Sequence, residues 1–253
     1  MKGTTMSALS IVLPAYNEER NLPGCMGSLR ETFAGTDYEV LIVDDGSSDG
    51  TLAEARRLAA EDPARVTVLA HDHNRGMGAA LRAGYEAARG DYVTYCPADF
   101  AMSAADWASF AAALGRADVL VGRRLRREGY SPLMRFNSWL YLRLVHLLFG
   151  LHLRDVAWIS VYRRDLIRQV TITQQGFAML VEIIVKLRDL GASFREVECR
   201  MQRRTIGTPS SARFSVMWRT LTGVLGFWWT YRRVSPAPTP CPVPTDAPGA
   251  TPS

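Results

Sequence analysis

No two of the four cysteines, Cys25, Cys96, Cys199 and Cys241, form a C-x-x-C pair or stand at a metal-ligand spacing. That excludes a cysteine zinc site and a disulfide framework, and it fits reduced, cytosolic thiols. The N-terminus lacks the basic-then-apolar pattern of an export signal, because residues 8–15 form an apolar run of strand length that meets a turn at Tyr16-Asn17. No internal repeat is present. Charge of one sign is also in short supply: 22% of the 253 residues are charged and the formal net charge is +5. The positive residues thicken only after Arg116, at Arg123–Arg127, Arg200–Arg204 and Arg232-Arg233. That distribution suits anionic ligands or an anionic membrane surface and makes no case for nucleic acid. With 47% hydrophobic residues, the chain is long enough for one large α/β domain or one domain plus an appendage.

What is present is a repeated alternation of strand, loop and helix. Leu9–Leu13 is a short apolar run with β-branched members, and Pro14-Ala-Tyr-Asn-Glu18 leads from it into a helix from about Leu22 to Phe33. Glu39–Val43 is the next run. It delivers Asp44 and Asp45 to a strand's carboxyl end, and a helix follows over Thr51–Glu61. Acidic residues followed by Gly46-Ser47-Ser48 either accept hydrogen bonds from a base or ribose, or simply turn the chain. Val66–Leu69 is a third strand, and His71 to Gly78 opens a helix running to about Arg89. Gly76 and Gly78 at a helix entrance allow backbone amides to approach a phosphate. A lone His71-x-His73 on a loop is more often solvated or structural than a metal site.

The fourth strand, Tyr92–Cys96, ends abruptly at Pro97 and sets Asp99 just beyond its carboxyl end. In an open α/β sheet ligands bind at that rim, and a carboxylate there can hold a divalent cation against a phosphate. The alternative is that Asp99 caps the following helix, with Ser103 or Asp106 as rival caps. Four β-α units in about a hundred residues imply a doubly wound, mostly parallel sheet with helices on both faces.

Val12-Leu-Pro-Ala-Tyr-Asn-Glu18, Val43-Asp-Asp-Gly-Ser-Ser-Asp-Gly-Thr51, Asn74-Arg-Gly-Met-Gly78 and Gly90-Asp-Tyr through Pro97-Ala-Asp99 resemble, in order and spacing, the signatures of the inverting family 2 glycosyltransferases of GT-A fold. Asp118-Val-Leu-Val-Gly-Arg-Arg124 and Gly176–Glu198 extend the similarity toward the dolichyl- and polyprenyl-phosphate mannose and glucose synthases. The resemblance implies a catalytic domain over residues 1–212. In it, Pro14, Tyr16, Glu18, Asp44 and Asp45 form the pocket for base and ribose, and Gly78 and Ala98 complete the donor site. Asp99 meets the metal, Mg²⁺ or Mn²⁺, and the donor diphosphate. Arg123 and Arg204 face anionic groups of donor or acceptor, as guanidinium forks suit phosphate oxygens. Arg135 and Ser138 lie where related enzymes bring an acceptor-side arginine.

Two departures stand out. Where the family reads Asp-Ala-Asp-Leu-Gln, this chain has Pro97-Ala98-Asp99-Phe100-Ala101, so a cation would rely on Asp99, diphosphate oxygens and water. Where the synthases read Arg-x-x-Gly-x-Ser-Lys, Arg204 and Gly207 persist and the lysine is absent.

The resemblance implies transfer of a hexose, mannose favoured, from a nucleotide-diphosphate sugar (GDP-mannose, or a UDP-hexose) to a polyprenyl phosphate. A lipid phosphate is already an anion and needs no general base. A soluble hydroxyl acceptor needs one, and Asp155 and Glu182 are the candidates. Their structural alternatives are that Asp155 pairs with Arg154 or Arg163 and that Glu182 bonds a loop. A sugar-nucleotide-binding relative with impaired catalysis is the third reading, motivated by Pro97.

Leu133–Leu153 is apolar at helical spacing with Arg135, Arg143 and His146 interleaved, so it reads as an interfacial or a buried helix. Phe214–Val234 joins Trp218, Phe227, Trp228, Trp229 and Tyr231 to Arg219, Arg232 and Arg233. Its uncharged part, Thr220–Tyr231, is shorter than the roughly 20 residues a bilayer span requires. This 213–234 segment therefore reads as a membrane-interface or docking helix, and the enzyme as cytoplasmic and peripheral on the inner face of the membrane. Residues 235–253 are proline-rich without apolar periodicity and read as a disordered tail.

Overall fold

A computed structural model describes residues 9–98, 103–126, 131–156, 158–200 and 214–234. Asp99, Arg204 and the 235–253 tail lie outside the described residues. The strands are β1 (Leu9–Ala15), β2 (Tyr38–Asp44), β3 (Val66–Ala70), β4 (Tyr92–Tyr95), β5 (Val119–Arg126), β6 (Ser160–Arg163) and β7 (Phe194–Arg200). They form one seven-stranded sheet in the order β3-β2-β1-β4-β6-β5-β7. All neighbouring strands run parallel except β6, which is antiparallel to both β4 and β5. The mostly parallel α/β sheet is therefore as expected, with one reversed strand inserted.

The helices are α1 (Leu22–Thr32), α2 (Thr51–Glu61), α3 (Met77–Ala87), α4 (Ala104–Ala113), α5 (Pro132–Phe149), the single turn α6 (Arg164–Ile167), α7 (Gly176–Asp189) and α8 (Phe214–Val234). The central strands read as unbroken β-branched and leucine runs because both faces of the sheet are covered: Ile11, Val12, Leu13 and Val40 to Val43 are all within the core. Gly84 of α3 lies so close to Val12 that a Cβ would collide with its side chain. α3 is thus seated directly on β1. α4 is capped by Ser103, whose Oγ accepts from the Asp106 amide while the Asp106 carboxylate accepts from the Ser103 amide. Of the rival caps, Ser103 fills the role.

Register sets the level of the site. Ala15 pairs with Asp44 and Asp44 with Ala70, so the loops after β1, β2 and β3 leave the sheet side by side. β4 ends at the same rim, where the Cys96 amide donates to Val12 O at 2.8 Å.

One boundary is corrected. The helix read over Leu133–Leu153 ends at Phe149, because Gly150 adopts the left-handed conformation (φ 65°) and its amide closes on His146 O at 2.8 Å. Leu151 and Leu153 instead belong to a buried loop, fastened by His146 Nε2 and Leu153 O at 2.7 Å.

α8 is latched to the domain by Arg188, whose side chain is fully buried. Its guanidinium donates to Phe149 O at the end of α5, to Asp189 Oδ1 and, at 2.8 Å, to the Tyr231 hydroxyl of α8. Tyr231 in turn donates to Asp189 Oδ2 at 2.7 Å. Phe149 and Phe227 stack at 5.3 Å alongside. Arg188→Met removes one partner of this buried cluster and leaves Phe149 O and Tyr231 short of a donor. The expected loss is about 3 kcal/mol, read as a lowered midpoint in urea unfolding.

Candidate active site

Three loops interlock at the rim. Asn17, the one non-glycine residue with positive φ (56°) among the described residues, turns the chain after β1. Its Oδ1 accepts from the Ser48 amide at 2.9 Å, and its own amide donates to Ser47 Oγ at 3.0 Å. The Glu18 amide donates to Thr51 Oγ1 at 2.8 Å, and the Glu18 carboxylate accepts from Asn21 Nδ2. Asp49 receives the Thr51 hydroxyl and amide, and the hydroxyl bond above all holds its carboxyl below the ordinary range. These bonds fasten the β1-α1 loop to the β2-α2 loop and leave the Tyr16 ring 47% exposed. Pro14, in β1, pairs in register with Val43.

Asp45 fastens the second loop to the third. Its carboxylate, almost completely buried, accepts from the Arg75 amide at 3.0 Å, the Gly76 amide at 2.8 Å and His71 Nδ1 at 2.7 Å. Gly46 allows this closeness. At φ 69° a Cβ there would stand 2.6 Å from His73 Cα and 2.7 Å from Asn74 N. Asp44, next to it, is as deeply buried, yet only Oδ2 has a contact, a 3.4 Å approach of the Ser47 amide. Oδ1 has no partner among the described residues. An orphaned carboxylate oxygen at a ligand-binding rim is an acceptor waiting for a donor.

At the entrance to α3, where the sequence suggested a phosphate cradle, the glycine amides meet side-chain acceptors. The Gly76 amide is taken by Asp45, and the Gly78 amide donates to Gln175 Oε1 at 2.9 Å. A Cβ on Gly78 would meet that oxygen at 2.8 Å. Gln175 belongs to the segment before α7, which is clasped from both sides. Arg82 of α3 donates to Ile172 O at 2.6 Å. The fully buried Glu182 of α7 accepts from the Thr173 amide and hydroxyl, the Gln174 amide and Lys186 Nζ, at 2.7–2.9 Å. Of the two roles weighed for Glu182, the loop-bonding one is what the geometry displays.

Asp155 also finds a partner, but neither of those expected. Arg154 pairs with Glu196, and Arg163 with Asp118 and Asp165. Asp155 binds Arg124 through both oxygens, at 2.7 and 2.9 Å, and the guanidinium lies 5.1 Å from the Trp158 ring centre. The reason is topological: Arg124 is on β5, and the loop carrying Asp155 leads into β6 beside it. Arg123, the adjacent residue, is half-buried and lies 3.3 Å from Glu198. Ala98 is buried immediately after Pro97. Arg135 and Ser138 sit on α5, Arg135 exposed and Ser138 half-buried.

The structure thus brings Pro14, Tyr16, Glu18, Asp44, Asp45 and Ala98 to one rim. It places Arg123 and Asp155 around β5, and Glu182 behind the α3 entrance. His71, Gln175 and Arg124 were not singled out from sequence for these contacts. The only signal was the H-x-H pair, weighed there as a metal site. Among the described residues no three His, Cys, Asp or Glu side chains stand together to hold a metal ion.

Residues 10–171 match the sequence profile of glycosyl transferase family 2. The chain is 31% identical to the undecaprenyl-phosphate mannosyltransferase of Micrococcus luteus, over 78% of this chain and 84% of that protein. It is 29% identical to the polyprenol monophosphomannose synthase of Mycolicibacterium smegmatis, over 78% of each. It is 32% identical to the dodecaprenyl-phosphate galacturonate synthase of Rhizobium johnstonii, over 64% of this chain and 49% of that protein, so the chain spans about half the length of that relative. The glucosyl-3-phosphoglycerate synthase of Mycobacterium tuberculosis, solved with Mn²⁺, UDP and phosphoglyceric acid, shares the fold: TM-score 0.66 at 19% identity, over 88% of this chain and 78% of that one.

Glu182→Gln keeps the side chain's shape but turns one acceptor into a donor facing donors. It is expected to cost about 2 kcal/mol, measured as reduced stability to urea, with accelerated hydrogen exchange at the Thr173 and Gln174 amides.

Proposed function

The chain belongs to glycosyltransferase family 2, and we propose that it transfers a hexose, mannose in preference, from a nucleoside-diphosphate sugar to a polyprenyl phosphate with inversion. Support for the donor comes from the rim after β1, β2 and β3, where an exposed aromatic side chain, Tyr16, neighbours the acceptor-rich pair Asp44-Asp45. In this reading the base and ribose lie there and the diphosphate extends toward Ala98 and Asp99. Mannose, and with it GDP-mannose, is favoured by the Micrococcus luteus and Mycolicibacterium smegmatis relatives, which are named for mannose transfer.

The acceptor phosphate oxygen attacks the anomeric carbon from the face opposite the nucleoside diphosphate. A C–O bond forms as the bond to the diphosphate breaks. A lipid phosphate needs no proton removed, so positioning and charge carry the step. Arg123 and Arg204 meet the phosphate groups. Asp155 is held by Arg124 through both of its oxygens, an arrangement that serves geometry better than proton abstraction from a hydroxyl. Asp99 would hold Mg²⁺ or Mn²⁺ together with diphosphate oxygens and water, and the cation, when bound, neutralises charge on the leaving group.

The observation that carries the lipid acceptor is the uncovered face of α5 and α8. Leu133, Phe136, Trp139, Leu140 and Leu147 of α5, and Trp218, Leu225 and Trp229 of α8, are all exposed. Neither helix contains an Asp or Glu. Arg143 lies over Trp139, Arg232 over Trp228 and Arg233 over Trp229, within 4.9–5.6 Å of the ring centres. Indole with a flanking cation and no acid is the chemistry of an anionic lipid interface. Among the described residues no helix is long and apolar enough to cross a membrane. In this reading α5 and α8 rest the protein on the inner membrane face, with its rim near the phosphate of the lipid.

Transfer from radiolabelled GDP- and UDP-sugars with Mg²⁺ or Mn²⁺ into butanol-extractable product is expected only when polyprenyl phosphate is present. Asp99→Ala is expected to lower it by about a hundredfold or more. Donor binding or hydrolysis without lipid-linked label would reject the acceptor. In flotation with phosphatidylglycerol vesicles, Trp139→Ala and Trp229→Ala are each expected to weaken binding about tenfold, and neutral vesicles are expected to bind more weakly than anionic ones.

A further inference from the structure

We propose that His71 reads the nucleobase of the donor. Its Nε2 accepts a ring N–H that lies beside a carbonyl, a group present in guanine and uracil and absent from adenine and cytosine. The inference rests on the reading that the rim after β1 to β3 holds a nucleotide.

The tautomer follows from the contacts of Asp45. Both carboxylate oxygens accept from backbone amides, Arg75 N onto Oδ1 and Gly76 N onto Oδ2, and an amide N–H can only donate. Each carboxylate oxygen is thus already placed as an acceptor, and in the tautomer that matches this arrangement His71 Nδ1, 2.7 Å from Oδ1, donates that bond. In the neutral ring the lone pair is then on Nε2. Among the described residues nothing donates to Nε2. The atom keeps contact with solvent although the side chain is only 11% exposed.

A second acceptor without a donor among the described residues belongs to the same rim. Ala70, the residue before His71, pairs in register with Asp44, and the His71 amide donates to Asp44 O at 2.9 Å. Asp44 Oδ1 is buried and has no partner among the described residues. Two acceptors on adjoining strand ends suit a ligand that brings N–H or O–H groups. The two carboxylates at Asp44 and Asp45 repel a phosphate, so the part of a nucleotide that fits here is its base and ribose rather than its diphosphate. Tyr16 follows Ala15, which is in register with Asp44, and its half-exposed ring offers a flat face of the kind on which bases stack. The fixed imidazole then supplies what stacking cannot, a hydrogen bond that depends on which base is present.

His71→Asn separates the two functions of the ring. The asparagine amide nitrogen takes the place of Nδ1 as donor to Asp45, and no atom replaces Nε2. Calorimetric binding with Mg²⁺ would compare GDP, UDP, ADP and CDP, together with the diphosphates of 1-methylguanosine and 3-methyluridine, in which the ring N–H is blocked. In the wild type, GDP or UDP is expected to bind about tenfold or more tightly than its N-methylated form and than ADP or CDP. Which of the two does so identifies the base. In His71→Asn that preference is expected to collapse while the thermal midpoint stays unchanged. A wild type that binds the N-methylated and parent nucleotides alike, or a variant that keeps the full preference, overturns the proposal. If nucleotides bind and sugar transfer persists with discrimination untouched by His71→Asn, this proposal alone falls. If no nucleoside diphosphate binds at all, the nucleotide-donor reading falls with it.

Discussion

The site depends on one carboxylate. Asp45 closes the β2-α2 loop onto the β3-α3 loop by accepting two amides and an imidazole, and without it the Arg75 amide and the His71 ring would lose their acceptor. A charged acceptor with three N–H groups is a strong, directional clamp, since each bond is charge-assisted. The β1-α1 loop is then fastened to the same unit through Asn17, Glu18 and Glu19. The rim is therefore built before any ligand arrives, and little ordering is left to offset on binding.

The same device recurs away from the rim. Glu182 organises the segment before α7, and through Gln175 that segment holds the amide at the entrance of α3. Asp155 fixes Arg124 on β5 and with it the stack on Trp158. In each case a buried acid is surrounded by donors from chain segments distant in sequence. In each, the acid's oxygens hold backbone and side chains in place.

Much of the fold was legible because it is local. β1 to β4 are β-branched runs closed by Pro, Asp or Gly, and the helices between them carry alanine and leucine at helical spacing, so both periodicities agree with the architecture. The gathering of Tyr16, Glu18, Asp44 and Asp45 at one rim follows from that alternation and from the register of β1, β2 and β3. What was not legible is non-local. β6 is four residues long and reversed, too short for a pattern to announce. Asp155 meets Arg124 rather than its neighbours because β5 and β6 pair, a fact no window around residue 155 contains. Gly78 looked like a phosphate contact because its partner, Gln175, is 97 positions away. The end of α5 was overrun because apolarity continues into Leu151 and Leu153, and only Gly150 marks the stop.

α5 is held at one end. Val145 and Phe149 are in the core, whereas Leu133, Phe136, Trp139 and Leu140 are in the open. Mechanically it is a cantilever, clamped where Phe149 stacks on Phe227 and where the Arg188 guanidinium grips the last carbonyl. A load applied at Leu133 passes to the packed half of the helix, from Tyr141 to Phe149, which Gly150 closes. The chain leaving that glycine runs directly to Asp155 and its arginine. Whatever presses on the exposed half of the helix presses on the packed half from which that chain departs.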